Sequence, residues 1–116
     1  MTETKRSLDW LKKFIPSRCF ENGVYGVFSN PIGVDYDTIK PGLAMIVDPY
    51  GEIMAEAHSL DDEVVVALLT DEKLQRASGR QRYIPSRRPE LYGKLVEPQE
   101  SVTKPSWKRT FDANPS

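Results

Sequence analysis

The sequence is poor in cysteine and histidine and has no long apolar run. Its 116 residues include a single cysteine, Cys19, and a single histidine, His58. One cysteine excludes an internal disulfide, and a histidine without a second histidine or a nearby cysteine argues against a zinc site. No apolar run is long enough for a membrane span, and residues 1–6 lack the apolar region of a signal peptide. These absences favour one soluble, cytoplasmic domain, or part of one, without metal, cofactor or membrane association.

The chain also lacks an excess of positive or negative charge, because 16 basic and 17 acidic residues give a formal net charge of −1. Basic and aromatic residues are densest between positions 80 and 94, and a nucleic-acid surface is one interpretation of that stretch. The balanced total charge argues against it, and we expect no nucleic-acid partner. The alternative is that these arginines hold the end of the chain in place or meet acidic residues of another subunit.

Apolar spacing predicts an α/β arrangement of about four strands, two helices and an irregular tail. Leu8, Leu11 and Ile15 follow the predicted N-cap residue Ser7 at helical spacing. Pro16 should kink or break this helix or start a second short one, and the helical stretch is predicted to end at Gly23. Four apolar runs predict strands at residues 24–30, 43–47, 53–57 and 63–69. Residues 31–41 are predicted to be a loop, and residues 48–51 (DPYG) a β-turn that closes a hairpin.

A short second helix is predicted to begin at Thr70 and to end at Gly79. We divide the chain into residues 1–95, which form the domain portion, and residues 96–116, an irregular or docking tail. The predicted strands are apolar on both faces, so they require more cover than these helices provide. The sequence therefore predicts a partner, or self-association of the isolated chain.

Four segments in order resemble the nitrilase superfamily of carbon–nitrogen hydrolases. They are SRCFENGVYGVFSNPIG (17–33), PGLAMIVDPYGEIMAEA (41–57), EVVVALLTDEKLQRASGR (63–80) and RRPELY (87–92). The resemblance implies a partial α-β-β-α sandwich from the C-terminal part of such a protein. It also implies hydrolysis of a non-peptide carbon–nitrogen bond in a nitrile or amide, with a Cys nucleophile, a Glu base and a stabilising Lys.

In the family, the three catalytic residues lie before the segment that residues 17–33 resemble. No residue of this chain matches them, so we predict no catalytic residue here and no activity of the chain alone. The expected partner is the missing N-terminal half or a homologous subunit. The alternatives are a non-catalytic partner subunit and a small-molecule binding module derived from the same fold.

The resemblance and the strand pattern nominate several non-catalytic site residues. Ser29, Asn30, Pro31 and Ile32 lie at the end of the predicted strand 24–30, which should lie beside the nucleophile strand, so they are candidates for the substrate-pocket wall. An ordinary strand-ending turn explains them equally well. Candidates for a subunit contact are Arg18, Arg87, Arg88 and Tyr92. For Arg18, a local ion pair with Glu21 is the favoured alternative.

Three other features are tempting but have simpler explanations. Cys19 stands where the family has a small residue, and we interpret it as a partly buried helix residue. His58, with Glu56 and Asp61 nearby, lacks the further ligands that a metal requires. The acidic stretch 52–63 is interpreted as a solvated hairpin edge, and Lys12 and Lys13 as a solvated helix face.

Overall fold

The computed structural model describes residues 3–98. A long helix comes first, and five short strands and a helical C-terminal part follow it. The helices are α1 (Glu3–Asn22), α2 (Asp71–Arg76) and α3 (Gly93–Val96), with a π-helical turn (Gly79–Tyr83) and a 3₁₀ turn (Pro89–Leu91) between the last two. The strands are β1 (Gly26–Phe28), β2 (Ile32–Asp35), β3 (Thr38–Pro41), β4 (Met45–Val47) and β5 (Ile53–Glu56).

A three-stranded antiparallel sheet forms the centre, in the order β1-β4-β5. All three residues of β4 are buried, as expected for the middle strand. Helix α1 lies against this sheet, where Leu8, Leu11 and Ile15 pack on a cluster of Cys19, Leu43, Met45 and Val47. The predicted helical spacing is thus the spacing of the buried face.

Helix α1 continues through Pro16, so the predicted break at that residue is wrong. Proline removes one N–H and costs a hydrogen bond, but Ile15 and Cys19 on either side are packed against the sheet and hold the helix in place. The predicted N-cap at Ser7 is also wrong, because α1 begins at Glu3 and Ser7 lies inside it. The predicted end is correct: Gly23 has φ +65°, and Val24 N–H donates to Cys19 O at 3.1 Å.

The end of α1 crosses the π-helical turn at two glycines. A Cβ built on Gly79 would lie 2.3 Å from Gly23 N and 2.5 Å from Phe20 O, both backbone atoms. This close approach requires glycine at position 79. Gly79 was predicted to end α2, but α2 ends at Arg76 and Gly79 begins the next turn instead. The predicted N-cap is present, since Thr70 Oγ1 accepts Lys73 N–H at 3.4 Å.

The hairpin β4–β5 forms as predicted, with Met45 opposite Glu56. Its turn is closed by Gly51 N–H donating to Asp48 O at 3.0 Å. Residues 31–41 form a second hairpin, β2–β3, where we expected a loop. Residues 63–69 run without helix, turn or bend, but they belong to neither sheet of the described residues.

Candidate functional site

A cavity of about 290 Å³ opens where β1 ends and the chain turns into β2. Its wall includes three of the four predicted pocket residues, namely Ser29, Asn30 and Ile32. Pro31, the fourth, is exposed and is not among the lining residues. The structure thus brings three of the four nominated residues together at the end of β1.

Asn30 fixes one side of this cavity. Its side-chain Nδ2 donates to Gly42 O at 2.6 Å, and Gly42 N–H donates to Pro31 O at 3.0 Å. Together these bonds close the base of the β2–β3 hairpin against the end of β1. Asn30 therefore does serve a turn, as the alternative interpretation had it, and it also lines the cavity.

Leu43 also lines this cavity, although no sequence pattern singles it out. It is buried and has φ +73°, directly after Gly42 with the same φ. A bulky residue in the left-handed region is strained, and surrounding structure must hold it there. Because leucine carries no preference for this conformation, only the folded chain shows that this position is unusual.

The opposite wall is acidic. Asp61, Asp62 and Glu63 line it, and Glu63 Oε2 accepts the N–H groups of His58 at 3.0 Å and Ser59 at 2.8 Å. The acidic stretch is thus more than a solvated edge, because its last members shape the cavity. Glu56 also differs from that expectation: it is half-buried and lies 2.9 Å from Lys12 Nζ. The wall carries negative charge and hydrogen-bond acceptors, which suit a neutral amide or a cationic group.

Cys19 lies in the core and is not among the residues that line this cavity. It is buried, and a Cβ on Gly26 would lie 2.5 Å from its sulfur. Burial raises the pKa of the Cys19 thiol, and the nearby Asp48 charge raises it further. A protonated, enclosed thiol is a poor nucleophile. These surroundings therefore agree with the interpretation of Cys19 as a buried helix residue.

His58 is exposed, and its Nε2 lies 4.0 Å from Glu56 Oε1. Between residues 3 and 98, no group of three or more His, Cys, Asp or Glu side chains is arranged to hold a metal ion. No helix in that same range is long and apolar enough to cross a membrane.

The residues nominated for a subunit contact make local contacts within the chain. Arg88 pairs with Glu90 and lowers the pKa of that carboxyl group, and Arg88 N–H donates to Tyr92 Oη at 3.2 Å. Arg87 Nε donates to Ile84 O at 3.2 Å.

The expected Arg18–Glu21 ion pair is not among the pairs formed by the described side chains, so that prediction is wrong. Both residues are exposed, where such a pair gains little.

The sequence model of one protein family, described as carbon-nitrogen hydrolase, matches residues 2–78. The chain belongs to the carbon–nitrogen hydrolase family. A crystal structure of a carbon-nitrogen hydrolase from Helicobacter pylori G27 is similar in fold, with a TM-score of 0.71 and 22% sequence identity. The similarity covers 80% of this chain and 34% of that one. Comparison with curated proteins gave no match.

This carbon–nitrogen hydrolase chain thus spans about a third of the solved relative's length. The family match includes α1, both hairpins and the cavity between β1 and residues 61–63. The family and the mixed α/β fold that the sequence predicted are both confirmed. The π-helical turn and the residues after it lie beyond the matched range.

Proposed function

We propose that this chain supplies the C-terminal part of a nitrilase- or amidase-type hydrolase that acts on non-peptide carbon–nitrogen bonds in the cytoplasm. The observation that carries the proposal is the family match over residues 2–78, which includes the cavity at the end of β1. The nucleophile, base and stabilising cation would come from the N-terminal half of the fold or from a homologous subunit. This chain would contribute a pocket wall and no catalytic residue.

The cavity supports a role in holding a small amide or nitrile. Asn30 and Ser29 offer polar groups at a strand end, and Ile32 and Leu43 offer apolar surface beside them. This mixture is typical of small-molecule sites, where apolar walls bind and a few polar groups orient the ligand. The cavity would position the substrate, and catalytic groups of the partner would cleave its carbon–nitrogen bond.

The test is to produce the chain alone and together with the part of the Helicobacter pylori G27 carbon–nitrogen hydrolase that this chain does not cover. Ammonia release from a panel of small nitriles and amides is then measured. We expect no turnover by the chain alone and turnover by the pair. In the pair, Asn30→Ala should lower kcat/KM by about tenfold or more, because a misplaced pocket wall loses positioning. The control is Asp37→Ala, an exposed change in the β2–β3 turn.

Activity of the chain by itself would contradict the proposal. The substitution Cys19→Ala would then show whether Cys19 is the nucleophile. Turnover that survives this substitution excludes Cys19 as the nucleophile and requires another catalytic group. Turnover that this substitution abolishes makes Cys19 the nucleophile after all. Either result removes the need for a partner in catalysis.

A second candidate is a non-catalytic partner subunit, which the exposed apolar side chains of residues 64–68 favour. The pair would then form without gaining turnover. In both cases we propose that the isolated chain self-associates, since large uncovered apolar surface promotes association. A monodisperse monomer that melts cooperatively would contradict this.

A further inference from the structure

Another cavity, of about 560 Å³, opens between α1, the turn that joins β4 to β5 and the π-helical turn. Each of these three elements contributes one aromatic side chain to the wall, namely Phe20, Tyr50 and Tyr83. We call this cavity the aromatic cleft. It shares no lining residue with the cavity at the end of β1. Its volume lies within the range of roughly 300–1,000 Å³ that is typical of small-molecule sites.

Close backbone contacts bring the three elements of the aromatic cleft together. Gly51 has φ +80°, and a Cβ built on it would lie 3.1 Å from Pro16 O, so the turn lies directly against α1. A Cβ built on Gly79 would lie 2.5 Å from Phe20 O, so the π-helical turn also lies against α1. The rings of Phe20 and Tyr83 meet edge to face, with centroids 5.8 Å apart. Packed backbone thus holds the walls, which lowers the entropic cost of binding a ligand.

The three rings keep much of their surface open to solvent. Phe20, Tyr50 and Tyr83 are 39%, 38% and 48% exposed. Aromatic rings carry partial negative charge on their faces, and a cation within about 6 Å of a ring centroid is attracted to that face. Three half-exposed rings from three elements therefore offer a surface that suits a cationic ligand better than an anionic one.

The formal charge of the cleft wall is also negative. Glu21 is one of the lining residues, and none of them is a lysine, an arginine or a histidine. Glu21 is exposed and forms no ion pair with another side chain that the structure describes. Its carboxylate can therefore balance the charge of a cation that lies over the rings.

We propose that the aromatic cleft binds a small organic cation with a quaternary ammonium group. A primary ammonium has three N–H donors, and each requires an acceptor when water is displaced. The hydroxyl groups of Tyr50 and Tyr83 stand at the ring edges, so the carboxylate of Glu21 is the acceptor beside the ring faces. A quaternary ammonium has no N–H donor, and its methyl groups pack on aromatic faces while its charge interacts with them. This inference is independent of the proposed function.

Choline is the probe, and its uncharged analogue neohexyl alcohol, in which a carbon atom replaces the nitrogen, is the matched control ligand. Each is titrated into the full chain in about 0.1 M salt, where distant surface charges are screened. Binding is followed by saturation transfer from the protein to the methyl protons of the ligand. We expect choline to bind about tenfold or more tightly than the alcohol, because the two differ in charge and hardly in shape.

Two substitutions assign the binding to the aromatic cleft. Glu21→Gln removes the charge of an exposed side chain, and Tyr83→Leu replaces a ring by an aliphatic group. Each should weaken choline binding by about fivefold or more and leave binding of the alcohol less affected. The control Asp37→Asn removes an exposed carboxylate outside the cleft and should change choline binding by less than about twofold. Circular dichroism shows whether the variants keep the wild-type fold.

Several outcomes would overturn this inference. Absence of saturation transfer to choline, or equal binding of choline and the alcohol, would show that the cleft does not recognise the cation. Unchanged choline binding by folded Glu21→Gln and Tyr83→Leu would place the ligand elsewhere. Tighter binding of ethanolamine, the primary-ammonium counterpart of choline, would exclude the quaternary class.

A peptide that contains trimethyllysine, compared with the same peptide carrying unmodified lysine, distinguishes two sources of the quaternary ammonium group. If the methylated peptide binds more tightly than choline, the group belongs to a protein segment. If choline binds more tightly, the group belongs to a free small molecule. Either result supports the inference, provided that Glu21→Gln weakens the binding.

Discussion

Lys73 Nζ lies 3.1 Å from Asp48 Oδ2 and joins helix α2 to the turn between β4 and β5. Asp48 is only 3% exposed, and its other oxygen, Oδ1, accepts the N–H groups of Tyr50 at 2.9 Å and Glu52 at 3.0 Å. One buried carboxylate thus organises the hairpin turn and anchors the helix that follows residues 63–69. The two elements are far apart in sequence, so this contact belongs to the tertiary structure.

Asp48→Ala should lower the free energy of unfolding by about 3 kcal/mol, because two backbone N–H groups and a lysine lose their acceptor. Urea unfolding followed by circular dichroism measures the change. Asp61→Ala is the control, since Asp61 is exposed and should change stability by no more than about 0.5 kcal/mol. Equal effects of the two substitutions would show that the Asp48 contacts contribute little.

The Asp48–Lys73 contact also predicts a dependence of stability on alkaline pH. The hydrogen bond to Asp48 is the main cause that raises the pKa of Lys73 above its usual 10.5. The folded state therefore holds this proton more tightly than the unfolded state. The resulting stabilisation is fully present below pH 10.5 and is lost as the pH rises through the folded-state pKa.

The measurement compares the free energies of unfolding of the wild type and Lys73→Met between about pH 9 and about pH 12. Both proteins lose stability from other groups over this range, so their difference is the informative quantity. We expect the wild-type advantage to shrink as the pH rises. A difference that stays constant would show that the lysine charge does not stabilise the fold.

Gly79→Ala should destabilise the chain by about 2 kcal/mol or more, because the new Cβ would collide with backbone atoms that cannot rotate away. Gly93→Ala is a closely matched control, since no atom lies within 4 Å of a Cβ built there. That substitution should be neutral or stabilise slightly, as it restricts the unfolded chain. Thermal unfolding of both variants provides the comparison, and similar melting temperatures would contradict the close crossing of α1 and the π-helical turn.

Cys19 should react slowly with a thiol reagent in the native protein and quickly in urea. Burial and the Asp48 charge both raise the pKa of its thiol, and the thiolate is the reactive form. We expect a native rate about a hundredfold below the unfolded rate, set by opening of the core. The exposed control variant Ser59→Cys, in a Cys19→Ala background, should react quickly without urea. Rapid native modification of Cys19 would reopen its interpretation as a nucleophile.

Local sequence signals predicted several elements correctly. Leu8, Leu11 and Ile15 give the buried face of α1, and Gly23 ends that helix in the left-handed conformation. The residues 48–51 (DPYG) form the turn between β4 and β5, and Thr70 caps α2. These features depend on neighbours along the chain, so residue type and spacing were sufficient.

The β2–β3 hairpin was missed because its cause is not local. Pro31, Gly33 and two aspartates favour a loop. The turn contains Tyr36 at φ +56°, a conformation that a tyrosine in the sequence does not predict. The hairpin is closed instead by Gly42, which bonds to Pro31 and accepts from the Asn30 side chain. The cavity shares this origin, since Leu43 and residues 61–63 reach it only when the hairpins are in place.

The sequence by itself determined the family, the α/β character and the nomination of Ser29, Asn30 and Ile32, because order, spacing and residue type carry that information. Only the tertiary structure decided that Asp48 meets Lys73, that Gly79 touches Gly23 and that acidic residues form the second cavity wall. It also decided that residues 63–69 belong to neither sheet of the described residues. These relationships join residues from separate elements, and their geometry is set by how the elements pack.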